Sequence, residues 1–266
     1  MGPDEHFISI ADSGKPNAGR IYDYALGGNH NFEVDREAAQ QVLKLAPDFP
    51  KIVRLIRWFL GEAVRRLLAD GYTQFIDFAS GLPTVDHIHQ VSPPGTRVIY
   101  SDLDPITVAY GRELVKDNPE VHYFHCDAGK PEELLQDEAA HRYIDKERRT
   151  AIGMNGIAWF LTDDELGHSL RVLYDWAPKG ARLFISDSDS DPKKQSPALK
   201  EGSKLYNSFH QPFYSRTRAT LMELASPWKL RHPGFLPLED WVSMRAGVGD
   251  YTKGTFGVNK FGLLVV

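Results

Sequence analysis

The chain has 266 residues, a formal net charge of −5 at pH 7 and one cysteine. That length suits one large domain with a sizeable core. The acid excess argues against a nucleic-acid scaffold, and a lone cysteine excludes an intrachain disulfide and reads as a reducing, cytoplasmic setting. No apolar run approaches a membrane span, and the opening residues Met1 to His6 lack the basic and apolar parts of a signal peptide.

Residues 1–15 form a polar lead punctuated by Gly and Pro. Two helical patterns follow, Val34–Ala46, stopped by Pro47, and a longer one after it. In the second, Ile52, Val53, Leu55, Ile56, Phe59, Leu60, Val64, Leu67 and Leu68 recur at helical spacing, with Arg54, Arg57, Arg65 and Arg66 mostly off the apolar stripe. Asp70-Gly71 stops that helix. A strand–helix alternation then begins. Strands are expected at Phe75–Ala79, Arg97–Ser101, Val121–Cys126, Ala151–Gly156 and Ala181–Ser186. Helices are expected near Val85–Val91, at Ile106–Lys116, at Pro131–Ala140, and from the cap Thr162 to Trp176, where Glu165 completes a capping box. Asp104 ahead of Pro105 is a helix cap. The run Ser186 to Asp191 reads as a solvated loop, since it lacks the glycine and terminal glutamate of a calcium loop. Trp228–Pro233 and Val258–Val266 read as two last strands, with the long excursion between them, which holds Pro237 and four glycines from Gly247 to Gly257, as a hairpin connection.

The rhythm predicts an α/β fold: a Rossmann-like, doubly wound, mostly parallel seven-stranded sheet with an N-terminal helical extension. Residues 1–72 form the helical segment or lid, and residues 73–266 the core. The chemistry concentrates at the carboxyl ends of the first strands. Asp77 enters a small-residue turn, Ala79-Ser80-Gly81, and Asp102 and Asp127 end the next two strands. Ligands of open α/β sheets bind at such ends. The dinucleotide pattern G-x-G-x-x-G is absent. An acid ahead of the turn repels a pyrophosphate on the helix N-terminus and suits a cationic cofactor. S-adenosylmethionine carries both an ammonium and a sulfonium. In this reading Asp102 accepts from ribose hydroxyls, and Asp127, beside Ala128, accepts from the adenine amine.

These residues resemble class I S-adenosylmethionine-dependent methyltransferases, and more narrowly an actinobacterial S-adenosyl methyltransferase family, a domain of formerly unknown function. The resemblance rests on Ala18 to Phe32 with Asp35 to Ala38, on Phe75 to Thr84, on Val98 to Pro105, and on Pro233 to Pro237 with Trp241. It implies that Asp77, Ala79, Ser80 and Gly81 line the cofactor, that Asp102 holds the ribose and Asp127 lies near adenine, and that Leu103 and Ala128 are cofactor-binding neighbours. It also implies that Tyr22, Gly27, Gly28 and Asn31 fold over the methionine end, and that Asn155, after the fourth strand, belongs to the site. Such enzymes usually have glycine where Ala79 stands. The aromatic stretch Tyr206 to Tyr214 either covers an acceptor pocket or packs on the core; Tyr206, His210 and Tyr214 are the candidate catalytic residues. No metal is expected, because His87 and His89 point to different faces of a helix. Cys126 reads as a buried small hydrophobe. The function read here is methyl transfer from S-adenosylmethionine by in-line displacement to a small-molecule acceptor. The alternative is a non-catalytic S-adenosylmethionine-binding sensor. The acceptor and the oligomeric state are not written in the sequence.

Overall fold

Strand residues alternate between two apolar layers, and that alternation sets the architecture. Phe75, Val98, Tyr100 and Ala151 join one layer with Ile56, Phe59, Leu60 and Val64. Ile76, Ile99, Ile152 and Leu183 join the other with Leu166, Leu170 and Leu173. A parallel sheet needs both faces covered in this way. The computed structural model describes residues 14–232, 234–242 and 259–265. The elements run α1 (Ala18–Ala25), α2 (Glu33–Leu45), α3 (Phe49–Ala69), β1 (Gln74–Asp77), α4 (Ile88–Val91), β2 (Arg97–Asp102), α5 (Pro105–Val115) and β3 (Val121–His125). They continue α6 (Glu132–Leu135), α7 (Glu138–His141), β4 (Thr150–Asn155), α8 (Asp163–Trp176), β5 (Arg182–Asp189), α9 (Pro197–Ser208), α10 (Arg218–Leu224), β6 (Leu236–Pro237), α11 (Leu238–Val242) and β7 (Asn259–Val265).

The sheet order is β3-β2-β1-β4-β5-β7-β6. Strands β1 to β5 are mutually parallel, with Asp77 level with Tyr100 on β2 and Gly153 on β4. Strand β7 runs antiparallel to β5, and β6 antiparallel to β7. Winding reverses between β1 and β4, which opens a crevice at their carboxyl ends.

Four local expectations change. The helix over Pro131–Ala140 is broken into α6 and α7, because Asp137 caps a new turn by accepting from Ala140 N at 2.8 Å. The Ser186 to Asp191 run is not a solvated loop throughout. Strand β5 extends to Asp189, and Ser186, Asp187 and Ser188 are buried, since Arg216 meets Asp187 at 3.2 Å. Residues 228–232 form no strand; the Trp228 indole is buried and donates to Leu170 O at 2.8 Å, and the edge strand is β6. Arg57 lies on the buried face of α3 rather than off it. The excursion expected as a hairpin connection carries β6 and α11 in its described part, while its glycines at 247–257 and residues 1–13 of the polar lead lie outside the described residues. No described helix is long and apolar enough to cross a membrane.

Candidate active site

The turn after β1 is fixed on every side. Phe78 N donates to Gly153 O at 2.9 Å and Ser80 N to Ser101 O at 2.8 Å. Ser80 Oγ donates to Asp77 O at 2.7 Å, Tyr123 Oη to Gly81 O at 2.7 Å, and His87 Nε2 to Ser80 O at 3.1 Å. The backbone must turn left-handed twice, at Ala79 (φ 50°) and Gly81 (φ 62°). Glycine does this freely; at Ala79 the side chain costs ~1–2 kcal/mol. Asp77 has room only because its neighbour on β4 is glycine: a Cβ on residue 153 would lie 2.1 Å from Asp77 Oδ1.

Beyond this turn lies a cavity of about 590 Å³. Tyr22, Asp77, Ala79, Ser80, Gly81, Asp102, Leu103, Asp127, Ala128 and Asn155 all line it, so the structure gathers these sequence-expected residues into one place. Its electrostatics are acidic. Asp77 is 3% exposed, its Oδ1 has no hydrogen-bond partner, and burial pushes its carboxyl up to about 7. Asp102 accepts from Gly81 N at 3.0 Å through Oδ2 and from Asp104 N at 3.0 Å through Oδ1. Desolvation still pushes it up to about 6, because those bonds only partly offset it. Asp127 Oδ1 accepts from Gly129 N at 2.8 Å.

Sequence reasoning missed Arg57. Its guanidinium lines the same cavity, is 6% exposed, and has no partner at Nε or Nη1. It stands 5.5 Å from the Tyr22 ring centroid, and its positive charge is felt at Asp77. The signal was present. Residue 57 is four positions after Val53 and three before Leu60, both on the buried stripe, so helical geometry places it on that face.

Gly27, Gly28 and Asn31 are not among the residues that line this cavity. Gly28 and Asn31 pack around the Asp23 carboxylate, and Gly27 N donates to Tyr24 O at 2.9 Å. Asn31 Nδ2 and His30 N each donate to Asp23 Oδ2 at 3.0 Å, and a Cβ on Gly28 would lie 2.1 Å from Asp23 Oδ1. Helix α1 reaches the cavity instead through Asn17, Ala18, Gly19 and Tyr22. Arg20 anchors it, pairing with Asp35 and Asp104 at 2.8 Å each. Ala18 N also donates to Gln211 Oε1 at 2.6 Å, joining α1 to the aromatic stretch.

Of the catalytic candidates, His210 and Tyr214 line the large cavity. Tyr206 lines a smaller apolar chamber of about 80 Å³ next to it, and burial pushes its phenol up. His87 is fully buried and held neutral by desolvation, with Nδ1 accepting from Ile88 N. It buttresses the turn, and no His/Cys/Asp/Glu cluster among the described residues would hold a metal. Cys126 is buried and its thiol is pushed up to about 12, which suits a packing role.

A crevice at the switch point of a Rossmann-like sheet is where open α/β folds bind their ligands. Residues 5–258 match the family model described as S-adenosyl methyltransferase. The chain belongs to that family, and its cofactor is S-adenosyl-L-methionine. Two solved structures align over nearly the whole chain. One, a candidate methyltransferase from Thermobifida fusca, is 28% identical with a TM-score of 0.85, covering 96% of each chain. The other, a DUF574 family protein from Streptomyces avermitilis, is 26% identical with a TM-score of 0.85, covering 96% of this chain and 98% of that one. A magnesium protoporphyrin IX methyltransferase from Synechocystis with bound S-adenosylhomocysteine shares the fold alone: it is 12% identical with a TM-score of 0.53, covering 92% of each chain. No curated protein sequence matches the chain.

Proposed function

We propose that the cavity holds S-adenosylmethionine across the carboxyl ends of β1 to β3, and that the chain transfers the methyl group in line to a small-molecule acceptor. One observation carries this reading: the buried Asp77 carboxylate, with an unpartnered oxygen, stands where a dinucleotide enzyme seats its pyrophosphate. A phosphate is repelled there, whereas an ammonium or sulfonium relieves an uncompensated charge.

The residues fit the group end to end. Asp102 accepts from the ribose hydroxyls, and Asp127 from the adenine amine. The adenine ring lies against Ala128 and Leu103, the latter a 56% exposed apolar side chain at the cavity edge. At the other end the site is shaped for a zwitterion. Asp77 meets the ammonium, and Arg57, which lines the same cavity, meets the carboxylate. Tyr22 and Asn155 flank that end. When bound, S-adenosylmethionine supplies a methyl group on a sulfonium whose departure leaves a neutral thioether. The chain therefore contributes mainly alignment and exclusion of water. Tyr206, held protonated by burial, orients the acceptor. His210 takes a proton where the acceptor has one to lose.

Helices α1 and α2 act as a lid, tied down by the Arg20 pairs and by the Ala18–Gln211 bond, whereas α3 belongs to the core layer. A single, buried, weakly acidic thiol fits the reducing cytoplasm. Calorimetric titration tests the cofactor reading. S-adenosylmethionine and S-adenosylhomocysteine bind in the micromolar range and NAD does not; tight NAD binding with no binding of the first two overturns it.

A further inference from the structure

The small chamber beside the cavity says what kind of acceptor the protein takes. Its walls are Ile52, Trp159, Phe160, Leu199, Tyr206, Phe213 and their neighbours, and no acidic or basic side chain contributes. Ala18, Tyr22, Ile56, Gly156 and Phe160 line both spaces, so the chamber adjoins the cavity on the side that carries Tyr22, where the proposed function puts the methionine end. Its volume, about 80 Å³, is roughly half that of an apolar cavity that encloses benzene. It therefore takes one edge of a single ring, or a branched alkyl group, while the remainder projects into the larger space.

The polar equipment is sparse. The Tyr22 hydroxyl is spent on Val53 O at 2.8 Å. Burial raises the phenols of both Tyr22 and Tyr206, so neither is a base at neutral pH. Ser203 also lines the chamber, and its Oγ is buried without a hydrogen-bond partner. An unmade buried hydroxyl bond is costly, and a rotation about one bond lets it serve a ligand.

We propose that this chamber is the acceptor site, and that the acceptor is a small neutral molecule, a single ring or compact branched alkyl, with one hydrogen-bonding group met by Ser203. A charge on the part that enters the chamber is excluded, because nothing in the walls offsets its desolvation. The proposal rests on the cofactor reading only for the direction in which the reacting atom points.

Isosteric probes test it by calorimetry on the protein saturated with S-adenosylhomocysteine. Phenol binds about tenfold more tightly than toluene, the difference one buried hydrogen bond makes, and benzoate does not bind. In Ser203→Ala the phenol preference disappears while toluene affinity is kept. Because that change removes an unsatisfied hydroxyl, folding is not at risk. Ser203→Phe fills the chamber and abolishes both, leaving S-adenosylhomocysteine affinity unchanged. Benzoate binding as tightly as phenol, or an unaltered phenol-to-toluene ratio in Ser203→Ala, overturns the proposal. If S-adenosylhomocysteine itself fails to bind, the cofactor reading has failed, and the same probes titrated alone still decide the chamber.

Discussion

Arg20, Arg57 and Arg216 are all buried, yet among the described residues only Arg20 and Arg216 form ion pairs, Arg57 having the Tyr22 side chain beside it. Arg20 meets Asp35 and Asp104 at 2.8 Å each and donates to Lys15 O. Arg216 meets Asp163 at 3.0 Å and Asp187 at 3.2 Å, and donates to Ala158 O and Leu161 O. Arg57, on the cavity wall, leaves Nε and Nη1 unpartnered, and Asp77 nearby leaves Oδ1 unpartnered. A fold that satisfies two buried guanidiniums so fully has the means to satisfy a third. The difference teaches that the paired arginines hold the protein together, while Arg57 and Asp77 are held ready for a ligand carrying both charges.

The largest expected effect separates the two kinds of arginine. Arg216→Met removes a counter-charge from Asp187, which is fully buried, and Arg20→Met removes one from Asp35, also fully buried. Breaking a buried pair from one side costs about 3–5 kcal/mol. Urea denaturation should show a loss of that size for either variant. Arg57→Met should leave stability unchanged or raised. If all three variants lose stability alike, Arg57 is a structural residue and the contrast fails.

A smaller effect comes from Asp77. Its carboxyl is pushed from 3.8 to about 7 in the fold. Between those values the folded state keeps a proton that the unfolded state has lost, so stability without ligand falls as pH rises toward 7. Asp77→Asn removes that loss and should raise Tm at pH 8 by roughly 5 °C, while weakening S-adenosylmethionine binding. In the unaltered protein the affinity should strengthen as pH rises through about 7, as Asp77 ionises to receive the ammonium. Scanning calorimetry of both proteins from pH 5 to 8 checks it; equal slopes would show that Asp77 does not titrate in this range.

Much of this was legible in the sequence, for identifiable reasons. The parallel strands announced themselves because each is a short apolar run ending in an acid or a small residue. The acids Asp77, Asp102 and Asp127 sit at strand ends, where their positions follow from topology alone. The capping box at Thr162 and Glu165 was readable because it is local: Glu165 Oε2 accepts from Thr162 N at 2.8 Å. What was not legible depends on distant partners. Asp187 is buried because Arg216 finds it, and Trp228 leaves the sheet because a helix carbonyl accepts its indole N–H. Gly28 and Asn31 resembled a ligand loop, and the structure shows their N–H groups donating to Asp23, a partner that the motif alone did not name. Arg57 was readable from helical phase, yet its charge argued for solvent. Only the cavity beside it explains why an arginine occupies that face.

The central claim, that Arg57 and Asp77 receive the amino-acid end of the cofactor, has a direct test. Calorimetry would compare S-adenosylhomocysteine with 5′-methylthioadenosine, which lacks the ammonium and carboxylate, on the unaltered protein and on Arg57→Met. The unaltered protein should prefer S-adenosylhomocysteine by about a hundredfold, in keeping with charge-assisted hydrogen bonds in a desolvated site. Arg57→Met should lose most of that preference while its affinity for 5′-methylthioadenosine stays the same. A full preference retained in Arg57→Met would contradict the account.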